Sequence, residues 1–156
     1  MIEELAAGLS GKAVVVGVGQ LGHGDDGAGI LVARMLAESG IVQVIESGNA
    51  PELDTWRIRE MAPDYVLFID AVDFNGSPGE IALLQSSELN ASGLDTHRAP
   101  LKLTMEYLES ELGCKCRLLA IQPLSVRYGA PMSEDVKRSA INIFNMLSQC
   151  ILACKC

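Results

Sequence analysis

The chain is predicted to fold as an α/β sandwich of three layers. A twisted, mixed but mostly parallel sheet of about five strands would carry helices on both faces. Three observations point there. Short aliphatic runs such as Val14-Val15-Val16 and Val66-Leu67-Phe68-Ile69 are apolar without alternation, as expected of strands buried on both faces. Segments with apolar residues at helical spacing alternate with these runs. Short turns join them, with no repeat, linker or low-complexity stretch.

Taken in order, residues 12–18 form the first strand by their continuous valines. Residues 26–38 form a helix with Ile30, Ala33 and Ala37 on one face, ended by Gly40. Residues 41–46 make a second strand. Pro51 suits the first turn of a helix that runs to Met61 and stops at Pro63. Residues 65–71 are the third strand. Residues 79–85 follow a Gly-Ser-Pro turn too closely for a parallel crossover, so that strand is antiparallel or on an edge. After a polar loop, Pro100 opens a helix with Leu101, Met105, Leu108 and Leu112 in its stripe. Residues 117–121 are the last strand. Ser133 caps a closing helix whose stripe is Val136, Ala140, Ile143, Phe144, Leu147 and Ile151, with Glu134 and Asp135 in its first turn.

A length of 156 residues suits one domain spanning 1–156, which would bury roughly 70% of its unfolded surface and hold a core without disulfides or metal. No apolar run approaches the roughly 18 residues of a membrane span, and acids occupy the N-terminal segment where a signal peptide carries bases. A cytoplasmic protein with no membrane insertion is expected. The net charge of −8 disfavours nucleic acid and anionic membranes, and weakly favours a basic partner. Five cysteines, an odd number crowded into the C-terminal third, read as reduced thiols. Cys150 and Cys154 fall on the apolar side of the last helix and are expected to pack in or near the core. A zinc or iron–sulfur site is the sharper alternative, but the Cys114/Cys116 pair and the tail ending at Cys156 lack the usual ligand spacing.

The glycine-rich segment Gly17-Val18-Gly19-Gln20-Leu21-Gly22 matches a dinucleotide fingerprint, with Glu46 near the place of a ribose-binding acid. A nucleotide-binding module using this loop is therefore a competing reading. The adjacent Asp25 and Asp26 oppose it, because they set negative charge at the helix entrance where a pyrophosphate would sit. A cation is the better guest. Three metal-capable side chains fall on loops after strands, namely Asp26, Asp70 and His97. Two carboxylates and an imidazole suit a borderline divalent ion such as zinc, nickel or cobalt with positions left open. Each also has an ordinary reading, the acids as turn or capping groups and His97 as a solvated loop residue. Asp25 is expected to cap or to support the ligands from behind, Asp73 to turn the chain before Asn75-Gly76, and His23 to be exposed with a supporting role at most. Other signatures are missing: there is no nucleophile elbow and no His-Glu-x-x-His, and the cysteines lie far along the chain from both histidines.

Five ordered blocks resemble one family. They are Val16-Gly17-Val18-Gly19 with Gly24-Asp25-Asp26-Gly27-Ala28-Gly29, Ala50-Pro51-Glu52, Asp70-Ala71-Val72-Asp73 with Pro78-Gly79-Glu80-Ile81, Thr96-His97 with Ala99-Pro100-Leu101, and Ile121-Gln122-Pro123. The chain resembles the hydrogenase maturation proteases, most closely the branch processing the hydrogenase of formate hydrogenlyase. The resemblance implies a metal-dependent endopeptidase, classed as aspartic-type, that removes the C-terminal extension of a nickel-iron hydrogenase large-subunit precursor. It implies that Asp26, Asp70 and His97 serve as both metal ligands and catalytic residues. The metal would be nickel supplied by the precursor, with zinc or cadmium able to replace it in vitro. The protein would act as a monomer. A non-catalytic chaperone of the immature subunit is a further alternative. Two departures stand out: Gln20 where the family commonly has Asn, and Glu46-Ser47-Gly48-Asn49 where it has an acid, two glycines and Ser or Thr. The first keeps an amide on a longer arm, and the second puts the identity of the cognate hydrogenase in question.

Overall fold

The computed structural model describes residues 1–90 and 99–155. In chain order the elements are α1 (Ile2–Leu9), β1 (Ala13–Val18), α2 (Ala28–Ser39), β2 (Gln43–Gly48), α3 (Thr55–Met61), β3 (Tyr65–Ala71), β4 (Ile81–Leu84), α4 (Ala99–Leu112), β5 (Lys115–Ile121) and α5 (Glu134–Ala153). Short 3₁₀ turns cover Gly24–Gly27, Pro51–Asp54 and Ser86–Asn90. The sheet order is β2-β1-β3-β5-β4. The first four strands in that order are parallel, and β4 pairs antiparallel with β5 at the edge. The mixed α/β sandwich expected from the sequence is the observed architecture.

The aliphatic runs explain the layers. Successive side chains of a strand point to opposite faces, so Val15, Leu67, Ile69 and Leu119 pack against Leu5 of α1, Val32 and Leu36 of α2, and Ile143 and Leu147 of α5. From the same strands Val14, Val16, Val66, Phe68 and Leu118 meet Ile58 of α3 and Leu101, Met105 and Leu108 of α4 on the other face. Alternation was invisible in the sequence because both faces are core. The first turn of α2 presses on the sheet at Gly29, where a Cβ would lie 2.1 Å from the Ile69 carbonyl oxygen and 2.5 Å from that of Val18. Only glycine lets the helix sit over the ends of β1 and β3.

Several boundaries differ from expectation. The segment after β1 does not enter an α-helix at Asp26; it makes a 3₁₀ turn first and becomes α-helical at Ala28. The second strand starts at Gln43 and continues to Gly48, because Gly48 pairs with Val18 across a shift in register, while Ile41 and Val42 pack as a lead-in against the core. Pro51 opens a 3₁₀ turn ahead of α3, and α3 ends on Ala62 in the left-handed region (φ 46°), one residue before Pro63. The α1 helix was not anticipated. The turn at Gly40 and the span of β3 are as expected.

Candidate active site

β2 lies on one side of β1 and β3 on the other, so the chain reverses its direction of travel across the sheet between β1 and β3. A crevice opens outside the carboxyl ends of strands at such a point. Asp26 and Asp70 lie at this end of β1 and β3. Asp70 is the penultimate residue of β3 and fully buried; Asp26 is half-buried in the 3₁₀ turn after β1. The Asp26 main-chain carbonyl and the Asp70 carboxylate both approach Gly19. At φ 129° its Cβ would stand 1.9 Å from the Asp26 carbonyl oxygen and 3.7 Å from Asp70 Oδ1. The Gln20 N–H donates to that same Asp26 carbonyl at 3.1 Å. The glycine loop thus closes on itself directly above the Asp70 carboxylate. His97, the third expected member, lies outside the described residues.

Asp25 points the other way. It is buried, and its carboxylate accepts hydrogen bonds from Leu124 N (2.8 Å), Ser125 N (3.2 Å), Ser133 N (2.6 Å) and Ser133 Oγ (2.9 Å). It supports the turn from behind and does not cap its own helix. Ser133 does precede α5, but its hydroxyl donates to Asp25 and makes no cap bond to the helix. Backbone bonds zip the two segments further: Asp25 N to Ser125 O at 2.8 Å, Gly24 N to Ala130 O at 3.1 Å, and Gly129 N to Gly22 O at 2.8 Å. His23, expected to be exposed, is half-buried with its ring edge-on to Tyr128 at 5.1 Å.

These bonds bear on the nucleotide reading. Phosphate binding at a glycine loop needs unpaired backbone N–H groups at a helix N-terminus. Here the N–H groups of Gly19, Gln20, Gly24, Asp25 and Asp26 are taken by Gly48, Asp26, Ala130, Ser125 and His23. These N–H groups face protein carbonyls and not a phosphate.

The two departures from the family pattern meet in space. The Asn49 side-chain amide donates to Gln20 Oε1 at 2.7 Å, so the longer Gln20 arm is matched by a partner on the neighbouring loop. Ser47 Oγ donates to Asp54 Oδ2 at 2.8 Å, fixing the same loop from its other side. On the far side of Asp70, Gln122 organises the segment after β3. Its Oε1 accepts from Phe74 N (2.8 Å) and Gly76 N (3.0 Å), and its Nε2 donates to Asp73 Oδ1 at 3.0 Å. Asp73 also accepts from Asn75 N at 3.0 Å, the turn role expected of it. That backbone bond, followed by the Gln122 amide, lowers its pKa from the ordinary value. Only the motif Ile121-Gln122-Pro123 marked Gln122 in the sequence.

The thiols stand apart. Cys114 and Cys116 are buried at the start of β5 with sulfurs 3.9 Å apart. Cys116 aligns with Val66 and Ala120 with Asp70, so four residues of strand, about 13 Å, separate the pair from the site. The hydrogen bond shared with Cys114, then burial, pushes the Cys116 thiol up. Cys150 is buried as expected, and burial raises its pKa. Cys154 is exposed, its thiol 3.6 Å from the Ala6 carbonyl, because the last turn of α5 runs past the core edge. Cys156 lies outside the described residues. Among the described residues no three His, Cys, Asp or Glu side chains are assembled to hold a metal ion. Asp26 and Asp70 are acidic residues at the carboxyl ends of β1 and β3, and carboxylates are oxygen donors of the kind that divalent ions accept.

Comparison with known proteins identifies the family. A family model described as hydrogenase maturation protease matches residues 30–149. The hydrogenase 3 maturation protease of Escherichia coli K12 is 34% identical over 137 residues, covering 86% of this chain and 87% of that protein. The crystal structure of the [NiFe] hydrogenase maturation protease HycI from Thermococcus kodakarensis superposes with a TM-score of 0.85 at 28% identity, covering 96% of this chain and 99% of that one. The solution structure of the endopeptidase HycI from E. coli gives 0.79 at 32%, over 88% and 90% of the two chains. With more than half its length matched by the family model and its fold shared with solved members, this chain belongs to the hydrogenase maturation protease family.

Proposed function

We propose that this protein is an endopeptidase that removes the C-terminal extension of a nickel-loaded [NiFe] hydrogenase large-subunit precursor, and that the inserted nickel is what it recognises. The observation that supports the reading is that Gly19 brings the backbone of Asp26 and the carboxylate of Asp70 together at the carboxyl ends of β1 and β3, in a chain of this family.

The nickel belongs to the substrate, held there by precursor thiolates. Asp26, Asp70 and His97 add oxygen and nitrogen donors to it, and so bring the neighbouring peptide bond to a fixed place. In the hydrolysis the C–N bond breaks, water supplies hydroxide to the carbonyl carbon, and the leaving nitrogen takes the proton. The bound ion serves as Lewis acid or water activator, and a carboxylate serves as base. Burial of Asp70 keeps its carboxylate in one position, so little reorganisation is needed when the substrate arrives.

The test is the intact mass of a large-subunit precursor from the same source after incubation with the protein, nickel-loaded and nickel-free side by side. Loss of a C-terminal fragment from the loaded form alone is expected. Equal cleavage of both forms would remove nickel as the recognition element, and cleavage of neither would overturn the proposed activity.

A further inference from the structure

The loop between β5 and α5 carries a feature that the catalytic residues do not explain. Leu124, Val126 and Tyr128 alternate along it and are 66%, 48% and 81% exposed. Single exposed apolar residues are ordinary. Three on five residues of a loop pinned at both ends are not. Asp25 holds the backbone at Leu124, Ser125 and Ser133, and Gly22 and Gly24 hold it at Gly129 and Ala130. With its backbone fixed, the loop has little freedom to fold these side chains inward.

The patch continues onto the site loop. Leu21 is 46% exposed, and its Cδ2 lies 2.8 Å from where a Cβ on Gly27 would stand, next to Asp26. The His23 ring bridges to Tyr128. From 121 to 133 the chain has no acidic residue, and neither has 12 to 24, although it carries 20 acids in all. Two acid-free stretches, with the exposed Arg127 the one charged side chain from 121 to 133, therefore border Asp26 on a strongly acidic protein.

The geometry points to the 124–128 loop as a docking ridge for the hydrogenase large-subunit precursor, Leu124, Val126 and Tyr128 receiving an apolar face of that subunit beside the segment to be cut. This rests on the function proposed above. The occupant follows from continuity: a protein whose metal reaches Asp26 must lie over the turn that Asp25 locks to this loop. Asp25 is then a positioning residue, setting the ridge and the turn in fixed relation.

The experiment is steady-state processing of the nickel-loaded precursor by wild type, by Tyr128→Ser, and by the triple variant Leu124→Ser/Val126→Ser/Tyr128→Ser. Leu152→Ser serves as an exposed apolar control on the last turn of α5, about 28 Å along the helix from Ser133. The triple variant is expected to raise KM at least about tenfold with kcat within twofold. Tyr128→Ser should raise KM by a smaller factor, and Leu152→Ser should change neither constant. Unchanged KM in the triple variant, or a fall in kcat alone, would overturn the ridge and leave the proposed activity standing. A wild type that leaves the precursor intact would overturn both.

Discussion

Asp25 and Ser133, 108 positions apart in sequence, are joined by two hydrogen bonds, from Ser133 N to Oδ1 at 2.6 Å and from Ser133 Oγ to Oδ2 at 2.9 Å. This clasp ties the turn bearing Asp26 to the entrance of α5. Of the two adjacent acids, Asp25 is the one that holds the turn in place.

Asp25→Ala would leave the N–H groups of Leu124, Ser125 and Ser133 without the buried carboxylate that accepts from them. A loss of about 3 kcal/mol or more is expected in urea unfolding. Asp25→Asn keeps one acceptor oxygen and should lose less. A melting curve for Asp25→Ala that overlays the wild type would refute the assignment.

Asp26→Asn, Asp70→Asn and His97→Ala should each slow precursor processing at least about a hundredfold, the scale of a lost transition-state contact, with far-UV circular dichroism unchanged. Mass spectrometry of the precursor over time provides the check. A variant that cleaves at the wild-type rate would take that residue out of the site.

Gly19→Ala probes the closure of the loop. A Cβ there would overlap the Asp26 carbonyl at a backbone angle that L-residues rarely adopt. The strain should cost about 1–3 kcal/mol and displace the Asp26 turn, so stability and processing should fall together. Retention of both would mean that the turn adapts.

Tyr65 gives a pH-dependent signature. Burial, and then the charge of Glu4, pushes its phenol up to about 12. The folded state thus favours the protonated form. That contribution to stability is complete below the ordinary tyrosine value near 10 and is lost as pH rises toward 12. The phenol oxygen has no hydrogen-bond partner among the described residues, so Tyr65→Phe should lie within about 1 kcal/mol of wild type at neutral pH. Between pH 10 and 12 the variant should become relatively more stable. Parallel melting curves across that range would show that the phenol does not titrate as described.

Much of the layering was legible because it depends on short-range pattern. Val14 to Val18 and Tyr65 to Ala71 announce buried strands, and a strand-end acid at Asp70 points to the crevice by the topology alone. What was hidden depends on partners distant in sequence. Nothing near Asp25 reveals that its oxygens accept from residues 124–133, and nothing near Gln20 reveals that Asn49 donates to it. Gln122 bonds residues 46 to 49 positions upstream, so its role appears only with the fold. The α1 helix had a readable signal, Leu5 and Leu9 on one face, but eight residues ending near Gly8 are too short to stand out without the core that they cover.

The clasp also sets a schedule for synthesis. A nascent chain that has emerged as far as β5 already possesses β1, β3, Asp26 and Asp70, yet it lacks Leu124, Ser125 and Ser133, which hold the Asp26 turn through Asp25. The contacts of widest sequence separation close last. The Asp26 turn therefore stays unsecured until residues 124–133 have emerged, and a product stalled at β5 carries Asp26 and Asp70 without the contacts that position that turn.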